Sequence, residues 1–387
     1  MVKIVSESKQ RVVIASNTTW NLANFRAGLI RALMDAGYEV IAVGPPDSHV
    51  DRVKALGCRY VPLPMDNQGT RPERDLLLLW RFFLLLRRER ADVLLGYTVK
   101  PNIYGSLAAH ALGIAVVNNI AGLGAVFITD SWLTRLVRGL YKVALSRSTK
   151  VFFQNDDDRR LFIDGHLVNC TKTDLVPGSG INLHQFAPIP LPRSDRPVRF
   201  LLIARMLWDK GVGEFVEAAR IIKNRGIHAE FCLLGFLDVQ NPAAVLREEM
   251  QAWVDEGVVM YLGETDDVRP YIAGADCIVL PSYREGTPRS LLEAAAMARP
   301  IITTDAVGCR EVVVDGVNGI LCRTRDAADL AEKMERMIAL SQEVRAEMGR
   351  RGREKVERQF DEAIVINKYL ETIGEVVGQP LHVTRKL

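Results

Sequence analysis

The chain has 387 residues, 48% of them apolar and 25% charged, and a formal net charge of +3. That length is long for one domain and comfortable for two, and the apolar share lets each half bury a core without metals or disulfides. The charge is uneven: 23 Lys/Arg face 16 Asp/Glu over residues 1–190 and 27 face 31 beyond, about +7 against about −4. A basic first half suits an acidic partner, yet no recognition motif or aromatic–basic interleaving speaks for nucleic acid.

From the start, short β-branched runs alternate with longer helical stretches, the pattern of βαβ units and parallel sheets. Strands are expected over residues 12–16, 39–43, 59–62, 93–96, 115–118, 151–154 and 174–176, with helices such as 25–36 and 76–90 between them. Residues 11–16 (RVVIAS) read as a first strand, not as a cleavable signal peptide. The apolar run 76–86 (LLLLWRFFLLL) is broken by Arg81 and is about half the length that crosses a bilayer. A proline-rich run, 186–197 (FAPIPLPRSDRP), then reads as a linker.

Strands resume over 198–204, 230–234, 258–261, 277–280, 301–303 and 319–321, and the last 60 residues are charged helices. The expected fold is α/β, two Rossmann-like doubly wound domains facing a central cleft, with ligands at the carboxyl edges of the strands. The first domain is expected over 1–190 and the second over 198–365. Six scattered cysteines (Cys58, Cys170, Cys232, Cys277, Cys309 and Cys322) lack the spacing of a zinc or redox motif and read as buried thiols of a reducing cytoplasm.

The densest signal is residues 281–300, PSYREGTPRSLLEAAAMARP. A strand ends at Leu280; Thr287 suits a helix cap and Pro288 the first helical position. With Gly286 letting the backbone come close, the exposed N–H groups make a phosphate site. Glu285 at the loop tip and Glu293 on the helix are placed to accept hydrogen bonds from sugar hydroxyls. The plainer reading is that Glu285 favours the helix dipole and Glu293 is solvated. In residues 203–211, IARMLWDKG, Arg205 and Lys210 follow a strand and precede a helix. Two cations there would neutralise a diphosphate and stabilise it as a leaving group. The alternative, a pair of surface cations at a helix start, works against the dipole.

With residues 301–319 (ITTDAVGCREVVVDGVNG), these stretches closely resemble glycosyltransferase family 4, retaining enzymes of the GT-B fold. The most specific element is E-G-x-P-x-x-L-L-E, matched by Glu285, Gly286, Pro288 and Glu293. The resemblance implies that Arg205 and Lys210 bind the donor diphosphate, that Glu285 contacts the donor sugar and that Glu293 holds the ribose. It also implies that Gly286, Thr287 and Pro288 cradle phosphate, and that a helix and tail over 366–387 return to the first domain. Ala298 stands where the family usually carries glycine, a departure expected to alter packing rather than chemistry.

Residues 16–26 (SNTTWNLANFR), 98–105 (TVKPNIYG), 118–127 (NNIAGLGAVF) and 235–242 (GFLDVQNP) resemble a bacterial subgroup that extends undecaprenyl-diphosphate-linked sugars. That likeness implies an N-acetylgalactosaminyl- or N-acetylglucosaminyltransferase. Acceptor contacts are expected from Asn17, Asn21, Asn24, Arg26, Lys100, Asn102 and Asn119, and a donor contact from Gly235. The asparagines also read as helix caps and the cations as solvated.

Asp156, Asp157 and Asp158 suggest a metal site, but they follow Asn155, a good cap, and open a helix where acidic residues are stabilised. Neither a metal nor another cofactor is expected. The run 76–86 with Arg87, Arg88 and Arg90, and the helix over 131–150 with Arg135, Arg138, Lys142, Trp132, Leu136 and Leu140, suit peripheral binding to anionic lipid. A buried helix beside a solvated basic face is the alternative. The expected protein is a cytoplasmic transferase on the inner face of the cytoplasmic membrane, moving an N-acetylhexosamine from UDP to a lipid-linked sugar. A transferase with a soluble acceptor, a non-catalytic UDP-sugar sensor, and a phosphorylase or epimerase remain as alternatives.

Overall fold

The computed structural model describes residues 9–66, 71–122, 132–192, 195–237 and 241–378. The chain forms two compact units, Met1–Ser179 with Ala363–Leu387, and Gly180–Glu362.

The first unit carries β1 (Arg11–Ala15), α1 (Thr19–Phe25), α2 (Ala27–Asp35), β2 (Glu39–Gly44), α3 (Val50–Lys54), β3 (Arg59–Pro62), α4 (Pro72–Glu89), β4 (Val93–Tyr97), α5 (Ser106–Ala111), β5 (Ala115–Ile120), α6 (Trp132–Leu145), β6 (Lys150–Phe153), α7 (Asp156–Asp164) and β7 (Thr173–Leu175). Its strands form one parallel sheet in the order β3-β2-β1-β4-β5-β6-β7. Helices cover both faces, so the central strands read as unbroken apolar runs: Val12, Val13, Ile14 and Ala15 are all fully buried. The order reverses between β1 and β4, the point where open α/β sheets bind ligands. The helix expected over 25–36 is present as α2; a separate helix, α1, precedes it, and the backbone of Arg26 between the two leaves helical geometry.

The second unit carries β8 (Val198–Ile203), α8 (Val212–Asn224), β9 (Ala229–Leu234), α9 (Arg247–Asp255), β10 (Met260–Tyr261), α10 (Arg269–Ala273), β11 (Cys277–Leu280), α11 (Arg289–Ala296), β12 (Ile301–Thr304), β13 (Gly319–Cys322), α12 (Ala327–Ala339) and α13 (Gln342–Gln359). Its parallel sheet runs β10-β9-β8-β11-β12-β13, so β8 and β11 flank its switch point. The last helix, α14 (Glu362–Val377), lays Val365, Tyr369 and Ile373 in the core of the first unit.

The division falls at Ser179/Gly180 and Glu362/Ala363 rather than at 190, 198 and 365. The proline-rich run expected as a linker belongs to the second unit for a physical reason. Phe186 is buried in its core, and arginines take up the run's backbone carbonyls. Arg299, fully buried, donates to the carbonyls of Ile189 (2.6 Å), Pro190, Ile272, Ala273 and Met297. Arg353 donates to those of Leu183, Phe186 and Ala296. Five of the cysteines are buried; Cys170 is exposed, against expectation.

Candidate functional site

At the switch point of the second sheet, β8 delivers one loop and β11 the other. The first loop tightens into a single helical turn, Trp208–Lys210, and enters α8 through Gly211 at φ 74°. A β-carbon there would fall on the Pro281 carbonyl, so glycine lets the Lys210 turn lie against the end of β11. Lys210 Nζ meets Glu285 Oε1 at 2.6 Å, with both side chains less than a fifth exposed. Ser282 Oγ donates to the same carboxylate oxygen at 2.8 Å. Arg205, on the same loop, is exposed and unpaired among the described residues.

The Glu285 loop is held from below. Thr304 Oγ1 donates to the Ser282 carbonyl, and the backbone N–H of Glu285 donates to Val307 O at 2.9 Å. Gly308, at φ 85°, presses so closely on the carbonyls of Glu285 and Gly286 that a β-carbon would overlap them. Burial pushes the Cys309 thiol up to about 12, helped by the Glu285 charge, so it is a neutral packing group behind the loop. Gly235, at φ 143°, ends β9 against the Ala204 carbonyl, beside the first loop.

α11 begins one residue later than expected, with Pro288 rather than Thr287 as its extended cap. Gly286 and Pro288 are buried beneath the loop. Glu293 sits one turn along, where Arg289 Nε donates to its Oε1 at 3.0 Å. Burial raises the Glu293 carboxyl above its ordinary range, and Arg289 opposes that shift. The helix closes with Ala298 in the left-handed region at φ 58°, where the N–H groups of Ala298 and Arg299 bond back to Ala295 and Ala294. That conformation is the physical reason glycine suits this position.

In the first unit, buried Ser16 follows the end of β1, and β4 ends at Tyr97, followed by Thr98, left-handed at φ 67°. Arg26 is 97% buried, with its guanidinium 3.9 Å from the centre of the Tyr97 ring and no hydrogen-bond partner among the described residues. The Ser16 and Asn21 side-chain oxygens also lack partners there. The N–H of Asn17 meets Thr98 Oγ1 at 3.3 Å, and Asn24 bonds the Trp20 carbonyl and Arg52.

Other residues expected at the acceptor have partners inside the fold. Asn102 donates to the Asn119 carbonyl at 2.8 Å and accepts from Asn118. Asn119 donates to the Tyr369 hydroxyl at 3.0 Å, so both asparagines belong to a buried network tying β5 to α14. Lys100 is paired with Asp75 at 2.9 Å. The aspartate triplet is likewise committed: Asn155 caps the N–H of Asp158, and Asp156 pairs with Arg160. Residues 123–127 and 238–240, the side chain of Trp132 and residues 379–387 lie outside the described residues.

Sequence reasoning passed over Ser282, Arg289 and Gly308. Arg289 was detectable from its i,i+4 spacing to Glu293; the other two act through contacts between distant segments.

Two doubly wound sheets, one bearing cations and carboxylates at its switch point, define a transferase of the GT-B class. Two family models match, one in each half: "Glycosyl transferase 4-like domain" over residues 22–178 and "Glycosyl transferases group 1" over residues 197–339. The chain belongs to these group 1, family-4-like glycosyltransferases. It is 29% identical, over 95% of its length and 99% of the relative's, to a Campylobacter jejuni N,N'-diacetylbacillosaminyl-diphospho-undecaprenol alpha-1,3-N-acetylgalactosaminyltransferase. It is 26% identical, over 65% of the chain and 68% of the relative, to an Escherichia coli UDP-Gal:alpha-D-GlcNAc-diphosphoundecaprenol alpha-1,3-galactosyltransferase. Among solved structures, a Rickettsia africae glycosyltransferase shares the fold (TM-score 0.77, 17% identity, 96% of this chain and 100% of that one). Anabaena HepE in complex with UDP does so too (TM-score 0.74, 16% identity, 95% and 100%).

Proposed function

We propose that the enzyme moves an N-acetylhexosamine from a UDP-sugar to an undecaprenyl-diphosphate-linked sugar, retaining the anomeric configuration and using no metal. The carrying observation is the largely buried Lys210–Glu285 pair at the β8/β11 switch point, with Arg205 exposed on the same loop and Glu293 on the next helix. The two cations suit a diphosphate, and the two carboxylates suit the hydroxyls of a sugar and a ribose. Likeness over almost the full length to a transferase named for a diphospho-undecaprenol acceptor supports the acceptor class.

In this reading the acceptor hydroxyl attacks the anomeric carbon on the face that the diphosphate leaves. The bond from that carbon to the diphosphate oxygen breaks, and the hydroxyl proton passes to the departing oxygen. Lys210 and Arg205 offset the charge that grows on the diphosphate, and Glu285 orients the sugar. Arg26 supports an anionic acceptor on the first unit: it is buried over the Tyr97 ring with no counter-charge among the described residues, and an anionic ligand would supply one.

No helix among the described residues is long and apolar enough to cross a membrane. A peripheral seat on the inner face of the cytoplasmic membrane is supported by α4. It turns Leu78, Phe82, Leu85 and Leu86 to the core, while Leu76, Leu77, Trp80 and Leu84 stay 45–68% exposed beside exposed Arg87 and Arg88. On the same sheet face, α6 exposes Arg135, Leu136, Lys142 and Val143, whereas Arg138 lies against Gly165. Basic residues near an anionic surface contribute about 1 kcal/mol each.

The test is incubation with single UDP-sugars and undecaprenyl-diphosphate monosaccharides in EDTA, following UDP release and lipid mobility. Release with a lipid shift for one UDP-N-acetylhexosamine is expected. Turnover that stops in EDTA and returns with a divalent cation would overturn the metal-free step. UDP release only with a soluble sugar would overturn the lipid acceptor.

A further inference from the structure

Arg289 occupies an unfavourable place for a cation: the first residue of α11, where the helix dipole repels positive charge. It also precedes Glu293 by four residues, the weaker order for a helical ion pair. Its contacts show what offsets this. Nε donates to Glu293 Oε1 at 3.0 Å, while one terminal nitrogen donates to the Gly180 carbonyl at 2.7 Å. The guanidinium also lies 5.8 Å from the centre of the Phe186 ring. Gly180, at φ 68°, is itself fixed, since a β-carbon there would overlap the Glu362 backbone. The guanidinium is therefore anchored on the backbone at one end and holds the carboxylate at the other.

We propose that Arg289 is the positioning residue for nucleotide recognition: it keeps the Glu293 carboxylate charged and aimed, so that selectivity for a ribose 2′,3′-diol over a deoxyribose depends on it. The proposal rests on the UDP-sugar reading above. Glu293 faces burial and the negative charge of Asp267, which both raise its carboxyl, and Arg289, which lowers it. Asp267 is itself paired with Arg269 at 2.8 Å. With the Arg289 charge removed, Glu293 holds its proton to higher pH. A protonated carboxyl has less capacity to accept from the diol.

The experiment is calorimetric titration of UDP and 2′-deoxy-UDP over a pH series from mildly acid to mildly alkaline. The full chain is compared with Arg289→Met, Arg289→Gln and Arg289→Lys. The unsubstituted protein is expected to prefer UDP about tenfold. Arg289→Met and Arg289→Gln lose that preference at pH values where the unsubstituted protein keeps it, and recover it as pH rises; Arg289→Lys keeps it throughout. If Arg289→Met fails to fold, the Gln and Lys variants decide, because Gln keeps a hydrogen-bonding group without the charge. A Gln variant that retains the full preference at every pH overturns the proposal, as does equal loss in Gln and Lys. An unsubstituted protein that binds both nucleotides equally overturns the ribose role of Glu293, and with it the reading on which the proposal stands.

Discussion

Lys210 is held ready by the same carboxylate that is read as the sugar contact. Lys210→Ala therefore removes a cation from the diphosphate and also leaves Glu285 largely buried with the Ser282 hydroxyl as its remaining hydrogen-bond donor among the described residues. Turnover is expected to fall about 100-fold or more, measured as UDP release at saturating donor. Arg26→Met makes a contrasting prediction. Removing a buried cation that has no ion-pair partner among the described residues leaves the thermal midpoint unchanged or higher, while transfer to the lipid acceptor falls steeply. Scanning calorimetry beside the lipid-shift assay checks both halves. Ala298→Gly relieves a left-handed alanine and is expected to stabilise by about 1 kcal/mol, read in a denaturant melt. At this scale the sequence displayed Lys210, Glu285 and Glu293, because each stands next to a strand end or a helix start. It did not show the internal hydrogen bonds of Asn102 and Asn119, since a polar side chain looks the same whether it awaits a ligand or a buried partner.

Among the elements, every strand expected from β-branched runs is present to within two residues at either end. Only the start of β10 and the end of β5 move by that much. Periodicity carries that information because parallel strands buried on both faces must be apolar throughout. The short helix α1 ahead of Arg26 was hidden, as no proline or glycine marks the boundary between it and α2. The proline-rich run was misread for a related reason: composition shows that it lacks regular hydrogen bonds of its own, but not which side chains replace them. Arg299 does so from a fully buried position, where burial lowers its guanidinium to about 10 and still leaves it charged at neutral pH. Arg299→Met would leave several carbonyls unsatisfied and is expected to cost on the order of 3–5 kcal/mol, measured by urea unfolding.

For the whole molecule, the alternation of strands and helices fixed the number of sheets, while the family resemblance supplied the chemistry. The charge asymmetry of the sequence found its structural counterpart in the exposed arginines and apolar side chains of α4 and α6. A triple substitution, Leu76→Ser, Trp80→Ser and Leu84→Ser, is expected to abolish sedimentation with anionic liposomes at low salt. Its thermal midpoint should stay near that of the unsubstituted chain, because these side chains are already solvated.

The meeting of Gly180 with Glu362 has a genetic consequence. The N–H of Ile181 donates to the Phe360 carbonyl at 2.8 Å, and the N–H of Glu362 donates to Ile181 at 3.1 Å. The second unit thus starts and finishes at one point, with the topology of an insert spliced into a host. An excised segment 180–362 has no severed strand and is expected to fold alone and bind UDP. The host tolerates less: a stop codon before residue 363 removes Tyr369 from its core and strands Asn119, so truncation there damages the half of the protein that lies farthest away in sequence.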